Sequence, residues 1–377
     1  MTVRVLHVCD KFGVGGSSIH GVSRLFSWWF PRYDASRFAV TLCGLKRPEP
    51  ASRLLEDQGI PVHHLGRGRF DPRLLGDLAS LVRRLGARIL HVHGYAAADF
   101  GRLAARSTGA GLILHEHFAD PRMPAYQGIA DRVLARFTDR AIAVSASTRD
   151  FLVAERHVPA DRVRLIWNGA PLEEFAPVSP EAALAVRRQL GLPPEAPVIG
   201  AIGRLNEQKG HRYLIEAAAE VRRQSPGVRF VIVGDGDLDV VLRQQAAALG
   251  LGDAVVFAGH RRDIPAVLGA LDVLCISSTY EGTPLALFEA LAAGKAVVST
   301  AVDGCREVLE DGVTGLLVPP RDPRALARAL LRALQEPGLR ETLEHNARAA
   351  SRQYDVDRCV EQMQALYDEV LREKGLS

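Results

Sequence analysis

Short apolar runs alternate with stretches of helical periodicity along the whole chain. In the first half the runs are VRVLHVC (3–9), FAVTLC (38–43), ILHVH (89–93), LILHEH (112–117), RAIAVS (140–145) and VRLIW (163–167). In the second half they are VIGAIG (198–203), RFVIVG (229–234), AVVFAG (254–259), VLCIS (273–277), AVVS (296–299) and GLLV (315–318). Continuous Val/Ile/Leu runs, rather than strict alternation, belong to strands covered on both faces, and the helical segments between them supply the cover. The pattern predicts an α/β protein with two doubly wound parallel-sheet domains, residues 1–172 and 173–355. The segment LEEFAPVSPEAAL (172–184), with prolines at 177 and 180, reads as the linker. After LLVPPRDP the chain reads as helix to the end, with a break near SRQYDVDR (351–358). The final segment places Val360, Met363, Leu366, Val370 and Leu371 on one stripe, which must dock on a surface that periodicity does not name.

Composition narrows the class. A chain of 377 residues with 47% hydrophobic and 24% charged residues has the make-up of a globular protein with two ordinary cores. No apolar run approaches the roughly 18 residues that span a bilayer, and the N-terminal residues lack a signal peptide's pattern, so a cytoplasmic location is expected. The five cysteines are scattered without a CxxC pair, which argues for buried free thiols rather than disulfides or zinc. The net charge of +3 is uneven: residues 1–172 hold 24 Lys+Arg against 15 Asp+Glu, and residues 173–377 hold 23 against 29. A basic first half suits an anionic membrane surface. No aromatic-interleaved basic stripe or nucleic-acid motif accompanies it, so nucleic acid is not expected as a partner.

The most informative stretch is EGTPLALFE (281–289). Thr283 is a good N-cap and Pro284 a good first helical residue, so a helix is expected from about residue 284. Glu281 then sits on the loop before the helix and Glu289 on its second turn. The N–H groups of Leu285, Ala286 and Leu287, without intrahelical acceptors, point into the space between with the positive end of the helix dipole. Phosphate suits that end, and hydroxyl groups suit the two carboxylates. A capped surface helix with two solvated acids is the plainer alternative.

Other strand ends add to this. GRLNEQKG places Arg204 and Lys209 after the run 198–203, a planar fork and a point charge that together suit a diphosphate. VGDGD (233–237) offers an Asp-x-Asp, but its position at a strand-to-helix turn favours turn and first-turn roles for Asp235 and Asp237 over metal binding. In KFGVGGSSIHGVSRLF (11–26), Gly13-Val14-Gly15 begins like GxGxxG, yet Ser18 fills the last position and no acid ends the next strand, so a hydride-transfer enzyme is disfavoured. A glycine-rich loop beside a ligand fits better. His91 and His93, and His115 and His117, lie in pairs near two strand ends; a histidine that hydrogen-bonds a substrate is favoured over a metal site. FSWWF (26–30) offers an aromatic patch for a membrane or an acceptor, and core packing is the favoured reading.

Taken together, GRLNEQKG, VGDGD, EGTPLALFEALAAGKAVVST and NGAPLEEF resemble the signature of retaining glycosyltransferases of family four, which have the GT-B fold. The resemblance runs over nearly the whole chain, and the E-x7-E element followed by ALAAGKAVV is its most specific part. It implies two Rossmann-like domains facing a cleft, the first binding the acceptor and the second a nucleotide-sugar donor, with the last helix, about 356–377, packing back on the first. By matched motif, Arg204 and Lys209 would hold the diphosphate and Glu289 the ribose hydroxyls. Glu281, with Gly282, Leu285 and Ala286, would address the transferred sugar and phosphate; His117 would lie near that sugar, and Arg261 near the base. His117, Glu281, Arg204 and Lys209 are thereby the expected catalytic residues. The family's first glycine loop aligns either at Gly15-Gly16 or at His20-Gly21.

The resemblance further implies no metal and no cofactor besides the nucleoside-diphosphate sugar, UDP being favoured, and a sugar or lipid-linked hydroxyl acceptor. The expected role is cell-surface polysaccharide or glycolipid assembly by a monomer or homodimer, with peripheral contact to the inner membrane face. Transfer to a soluble small molecule, or a silent sugar-nucleotide-binding module, are the alternatives.

Overall fold

The structure, a computed structural model, describes residues 2–13 and 21–376. The chain forms two units, one of residues 1–168 with 356–377 and the other of residues 169–355. The first division falls ahead of the expected 172/173 because the chain has already paired inside the second unit. The Ala170 N–H donates to the Tyr354 carbonyl at 2.9 Å, and Ala170 bridges Asp355. The expected linker is also shorter than read. A helix, Pro180–Gln189, begins within it, capped by the Ser179 hydroxyl accepting from the Ala182 N–H.

The first unit holds seven strands: β1 (Val3–Cys9), β2 (Phe38–Gly44), β3 (Val62–His64), β4 (Ile89–His93), β5 (Gly111–Glu116), β6 (Arg140–Ala143) and β7 (Val163–Leu165). They form one parallel sheet in the order β3-β2-β1-β4-β5-β6-β7. The second unit holds β8 (Val198–Ile202), β9 (Arg229–Val233), β10 (Val255–Gly259), β11 (Val273–Ile276), β12 (Ala296–Thr300) and β13 (Leu316–Val318), in the parallel order β10-β9-β8-β11-β12-β13. Both are doubly wound Rossmann-like sheets, as the apolar runs predict. The strand order reverses between β1 and β4 in one sheet and between β8 and β11 in the other, and ligands of such sheets bind where neighbouring loops diverge at these points.

The final helix, Val356–Glu373, belongs to the first unit. Its apolar stripe is buried, the Asp34 N–H donates to Gln364 Oε1 at 2.9 Å, and Glu369 accepts from Arg140 Nε at 3.0 Å and from an Arg164 terminal nitrogen at 2.7 Å. Gly111 allows this docking, since a Cβ there would lie 2.5 Å from Val370 Cγ1. Of FSWWF, Phe26, Trp28 and Trp29 are buried, and all five cysteines are free and buried.

The first unit also buries a charge cluster. Arg102, Arg156 and Asp131 are fully buried, Arg156 Nε meets Asp131 Oδ2 at 2.5 Å, and Arg102 and Glu116 complete the network through Asp131 and Arg156. Removing one member leaves an uncompensated charge in the interior. Asp131→Ala is expected to cost about 3–5 kcal/mol. Near roughly 2–4 °C per kcal/mol for a domain of this size, thermal denaturation would show a loss of about 6–20 °C.

Candidate functional site

The loops after β8 and β11 are laced together. Asn206 Oδ1 accepts from the Lys209 N–H at 3.2 Å and caps the short turn Glu207–Lys209. The Thr279 N–H donates to the Gln208 carbonyl at 2.8 Å, and the Ser277 hydroxyl to the Lys209 carbonyl at 2.9 Å. Gly210 has φ +61°, and a Cβ there would collide with the Ser277 carbonyl oxygen. The result brings Lys209 and Glu281, 72 residues apart, to 2.5 Å between Nζ and Oε1. The Ser278 hydroxyl donates to the same oxygen at 2.6 Å, and Gln208 Nε2 reaches Oε2 at 3.4 Å.

Glu281 is 5% exposed and the Lys209 side chain 19%, so the ammonium keeps an open side while its carboxylate partner is sealed. The Lys209 stem passes over Gly203, 3.4 Å from the position a Cβ would take. Lysine has three N–H donors, and one on Glu281 leaves others for an anion. Arg204 joins the cluster through Gln208 Oε1 at 3.3 Å.

The helix Leu285–Ala292 starts one residue later than expected. Pro284, at φ −69° and ψ 129°, is its extended N-cap rather than its first residue, and the Thr283 hydroxyl makes no cap bond. The Leu287 N–H turns back to the Pro284 carbonyl at 2.9 Å, so of the three expected amides only those of Leu285 and Ala286 lack an intrahelical acceptor. Both residues are half-buried, while Gly282, Thr283 and Glu289 are buried. A carboxylate 1% exposed at Glu289 is a recognition or structural group, and the solvated-acid alternative is excluded.

Behind this loop lies a support that sequence reasoning missed. Asp303, at φ +25°, accepts from the Glu281 N–H through Oδ2 at 3.2 Å. Next to it, a Cβ on Gly304 would collide with the Gly282 carbonyl and lie 2.5 Å from Thr283 Cγ2. The DG pair, separated by two residues from the end of β12, was the available signal. Gly304→Ala is expected to displace the Glu281 loop and weaken nucleotide binding by roughly tenfold, about 1.4 kcal/mol, as read by calorimetric titration with UDP.

The glycines of VGDGD do comparable work. Gly234 and Gly236 have φ of 142° and 154°, and the Leu205 N–H donates to the Asp235 carbonyl at 2.7 Å. Side chains on either would strike the backbone of residues 203–205, so the pair lets two strand-end loops pack closely beside Arg204. Arg261 lies after β10, and its guanidinium is engaged by Asp263, with Nε to Oδ1 at 2.9 Å, and by Gln189 Oε1 at 3.0 Å.

In the first unit, parallel register and alternation gather histidines on one face. His7 pairs with His91 between β1 and β4, and His93 with His115 between β4 and β5. His7, His91, His93 and His115 are fully or almost fully buried, and His117 is half-buried at the end of β5. Burial lowers the pKa of His7 to about 3 and of His117 to about 4, and holds His91, His93 and His115 well below the usual range. Nitrogens of His7, His91 and His93, and of His93, His115 and His117, come within 4.8 Å of one another, so either triplet could gather a transition metal only by giving up the hydrogen bonds that now join them. Tyr33 and Tyr367 complete this cluster, and sequence reading reached neither of them nor His7.

Other strand-end features of the first unit are already satisfied. The N-terminus of the helix Tyr95–Thr108 is covered by Asp10, which accepts from the Ala97 N–H at 2.6 Å. Glu49 Oε2 accepts from the N–H groups of Phe12 and Gly13 at 2.7 and 2.8 Å and anchors the start of the glycine loop. Gly15 and Gly16, together with His20, lie outside the described residues; Gly21 is exposed and begins the helix Gly21–Trp29.

Comparison with known proteins fits this geometry to a family. The family model for group 1 glycosyl transferases matches residues 184–350, and that for glycosyltransferase family 4 matches residues 29–174. The α-D-kanosaminyltransferase of Streptomyces kanamyceticus is 31% identical over 309 residues, 77% of this chain and 79% of that protein. The chain belongs to the group 1 glycosyltransferases. Another relative in this group is the Escherichia coli UDP-Gal:α-D-GlcNAc-diphosphoundecaprenol α-1,3-galactosyltransferase, 29% identical over 277 residues, 71% of each chain. Anabaena HepE, solved in complex with UDP, superposes with a TM-score of 0.84 at 25% identity, over 97% of this chain and 100% of that one. The two Rossmann-like units are thus those of a GT-B glycosyltransferase that uses a nucleotide sugar.

Proposed function

We propose that this glycosyltransferase moves a hexosyl or N-acetylhexosaminyl group from a UDP-sugar to a hydroxyl of a saccharide or lipid-linked acceptor, with retention of configuration and without a metal ion. The observation that carries the reading is the Lys209–Glu281–Ser278 cluster beside the helix N-terminus at Leu285, on the β8/β11 side where the strand order reverses. Lys209, Arg204 and the amides of Leu285 and Ala286 would hold the diphosphate. Glu289 would take the ribose hydroxyls and Glu281 the sugar, with Arg261 toward the base. In the proposed front-face step, the bond from the anomeric carbon to the phosphate oxygen breaks as the acceptor oxygen bonds to that carbon, and the acceptor's proton passes to the departing phosphate. Positive charge at Lys209 and Arg204 offsets the charge developing on that phosphate.

Two relatives support UDP, since HepE was solved with it and the E. coli relative is named for UDP-Gal; the latter also supports a lipid-linked acceptor. Incubation with UDP-sugars and diphosphate-linked or free saccharides, in the presence of EDTA, tests the reading by mass spectrometry and by the anomeric coupling in the product. An α-linked product from an α-linked donor is expected; inversion, or dependence on added metal, would overturn the corresponding part.

Peripheral contact with an anionic membrane has its own support. Among the described residues no helix is long and apolar enough to cross a membrane. The helix Ala125–Leu134 nonetheless exposes Tyr126, Ile129 and Val133 at 42%, 70% and 52%, beside Phe70 at 72%. Arg122, Arg132 and Arg136 are exposed on or next to the same helix. Apolar and basic groups on one surface helix suit an anionic bilayer interface. Sedimentation with anionic liposomes at low and raised salt is expected to show binding that salt releases, and absence of salt-sensitive binding would remove this element.

A further inference from the structure

One basic group near the strand ends of the first sheet has no counter-ion. Arg69 follows β3, and three aromatic rings face its guanidinium: Tyr95 at 5.4 Å, and Phe70 and Tyr126 at 5.5 Å each, from Cζ to ring centroid. Such rings stabilise a cation, but they offer its N–H groups no oxygen acceptor. Among the described residues Arg69 makes no hydrogen bond or ion pair. Its Nη2 is buried without a partner, whereas Nε and Nη1 are not buried, so the half-buried side chain meets solvent through these two nitrogens.

The acids nearby are taken by other groups. Asp10, on which the Arg69 charge acts, accepts from the Ala96 and Ala97 N–H groups at 3.3 and 2.6 Å. Asp71 is paired with Arg73 at 2.8 Å, and Asp120 accepts from the Tyr95 hydroxyl at 2.8 Å and from the Arg122 N–H at 2.9 Å. Arg156 supplies an internal comparison, since it lies over the same Tyr95 ring at 4.9 Å yet is neutralised by Asp131 and Glu116. One tyrosine thus carries two guanidiniums, one with carboxylates and one without. A charged donor group covered on one side and left without an acceptor is costly, and an oxyanion reaching Arg69 from the open side removes that cost.

The rings that hold Arg69 also form an apolar surface. Phe70 and Tyr126 meet edge to face at 5.5 Å, and both are exposed. Tyr126, Ile129 and Val133 share one face of the helix Ala125–Leu134 by their spacing, and all three are exposed. An unpaired cation and a hydrocarbon surface therefore share two side chains. A ligand that matches both carries a phosphate next to an apolar chain.

We propose that Arg69 is the subsite for the phosphate of a lipid-linked acceptor, with the lipid chain leaving over Phe70, Tyr126, Ile129 and Val133. The assignment of that phosphate to an acceptor rests on the function proposed above; the anion site itself does not. Arg122 and Arg132, exposed beside the same surface, add attraction for such a ligand but lack the aromatic cover that holds Arg69 in place.

Calorimetric titration in EDTA, with the protein saturated in UDP so that the donor site is filled, tests this with farnesyl phosphate, farnesol, inorganic phosphate and a short-chain phosphatidylglycerol as probes. Farnesyl phosphate is expected to bind more tightly than the other three. Arg69→Met, which keeps the aliphatic packing against the rings, is expected to weaken farnesyl phosphate by about 10–100-fold while leaving farnesol and UDP unchanged. Phe70→Ser, at an exposed position, should weaken both farnesyl probes alike. Farnesyl phosphate bound no better than farnesol, or equally well by Arg69→Met, would overturn the anion subsite. Inorganic phosphate or phosphatidylglycerol bound as tightly as farnesyl phosphate would assign the site to a soluble phosphate or to the bulk lipid headgroup, and would overturn the lipid-linked acceptor. If Arg69→Met fails to fold, the comparison of probes in the unsubstituted protein and Phe70→Ser still decides. Absence of UDP binding or of sugar transfer would bear on the proposed function, and Arg69-dependent binding of farnesyl phosphate would stand without it.

Discussion

Lys209→Ala is expected to lower glycosyl transfer by on the order of 10²–10³-fold, the loss typical of removing one charge-stabilising donor from a preorganised site. Two effects combine. The departing diphosphate loses a cation that the Asn206-capped turn holds in place, and Glu281, 5% exposed and 2.5 Å from Nζ, loses its partner. The unpaired carboxylate then stands beside the proposed phosphate position and repels the anion. Nucleotide affinity should therefore fall along with turnover, whereas the fold, carried by cores remote from these loops and with Glu281 still held by the Ser278 hydroxyl and Gln208 Nε2, should keep its melting temperature within a few degrees. Lys209→Arg should recover part of the affinity but not the geometry, since a planar fork cannot replace a compact ammonium over Gly203. Steady-state rates with UDP-sugar donor check this, and a variant within threefold of the parent would contradict it.

Acidification is expected to destabilise the first unit steeply below about pH 6.5. Five of its histidines have folded pKa values lowered by burial, to about 3 for His7, to about 4 for His117 and well below the usual range for the rest. In the unfolded chain each titrates near 6.5, so below that pH the unfolded state takes up protons that the folded state refuses. The stability is fully present above about pH 6.5 and is lost as pH falls toward 4, at about 1.4 kcal/mol per pH unit for each histidine. Asp10, Asp99 and Glu116, whose folded pKa values burial raises, bind protons earlier in the folded state and offset part of the loss. The net fall between pH 7.5 and 5.5 should still reach several kcal/mol, roughly half of an ordinary domain's stability. Urea midpoints at the two pH values measure it, and equal midpoints would contradict the neutral buried cluster.

The strands were legible because a parallel sheet covered on both faces writes each strand as an unbroken apolar run. β3 escaped because Val62–His64 is three half-buried residues, two of them histidine, at the sheet edge. The grouping of the candidate site was legible where its residues sit at strand ends, as Arg204, Lys209 and Glu281 do, since the order of the strands places those ends together. What stayed hidden depends on contacts between distant segments. Asp303 and Gly304 matter through the backbone of a loop 22 residues earlier, and Tyr33 meets Tyr367 across 334 residues. His7 lay within an apolar run with nothing local to mark it. Only the register of β1 against β4 shows that it joins His91 and His93. The helix after Glu281 was displaced by one residue because proline at ψ 129° caps it from outside.

Binding of a nucleoside diphosphate at the β8/β11 edge through Lys209 is decided by calorimetric titration of UDP in EDTA into the unsubstituted protein and Lys209→Ala. Binding of one UDP per chain, weakened at least tenfold in the variant, is the result expected. No binding by the unsubstituted protein, or equal affinity in both proteins, would remove Lys209 and this edge as the nucleotide site.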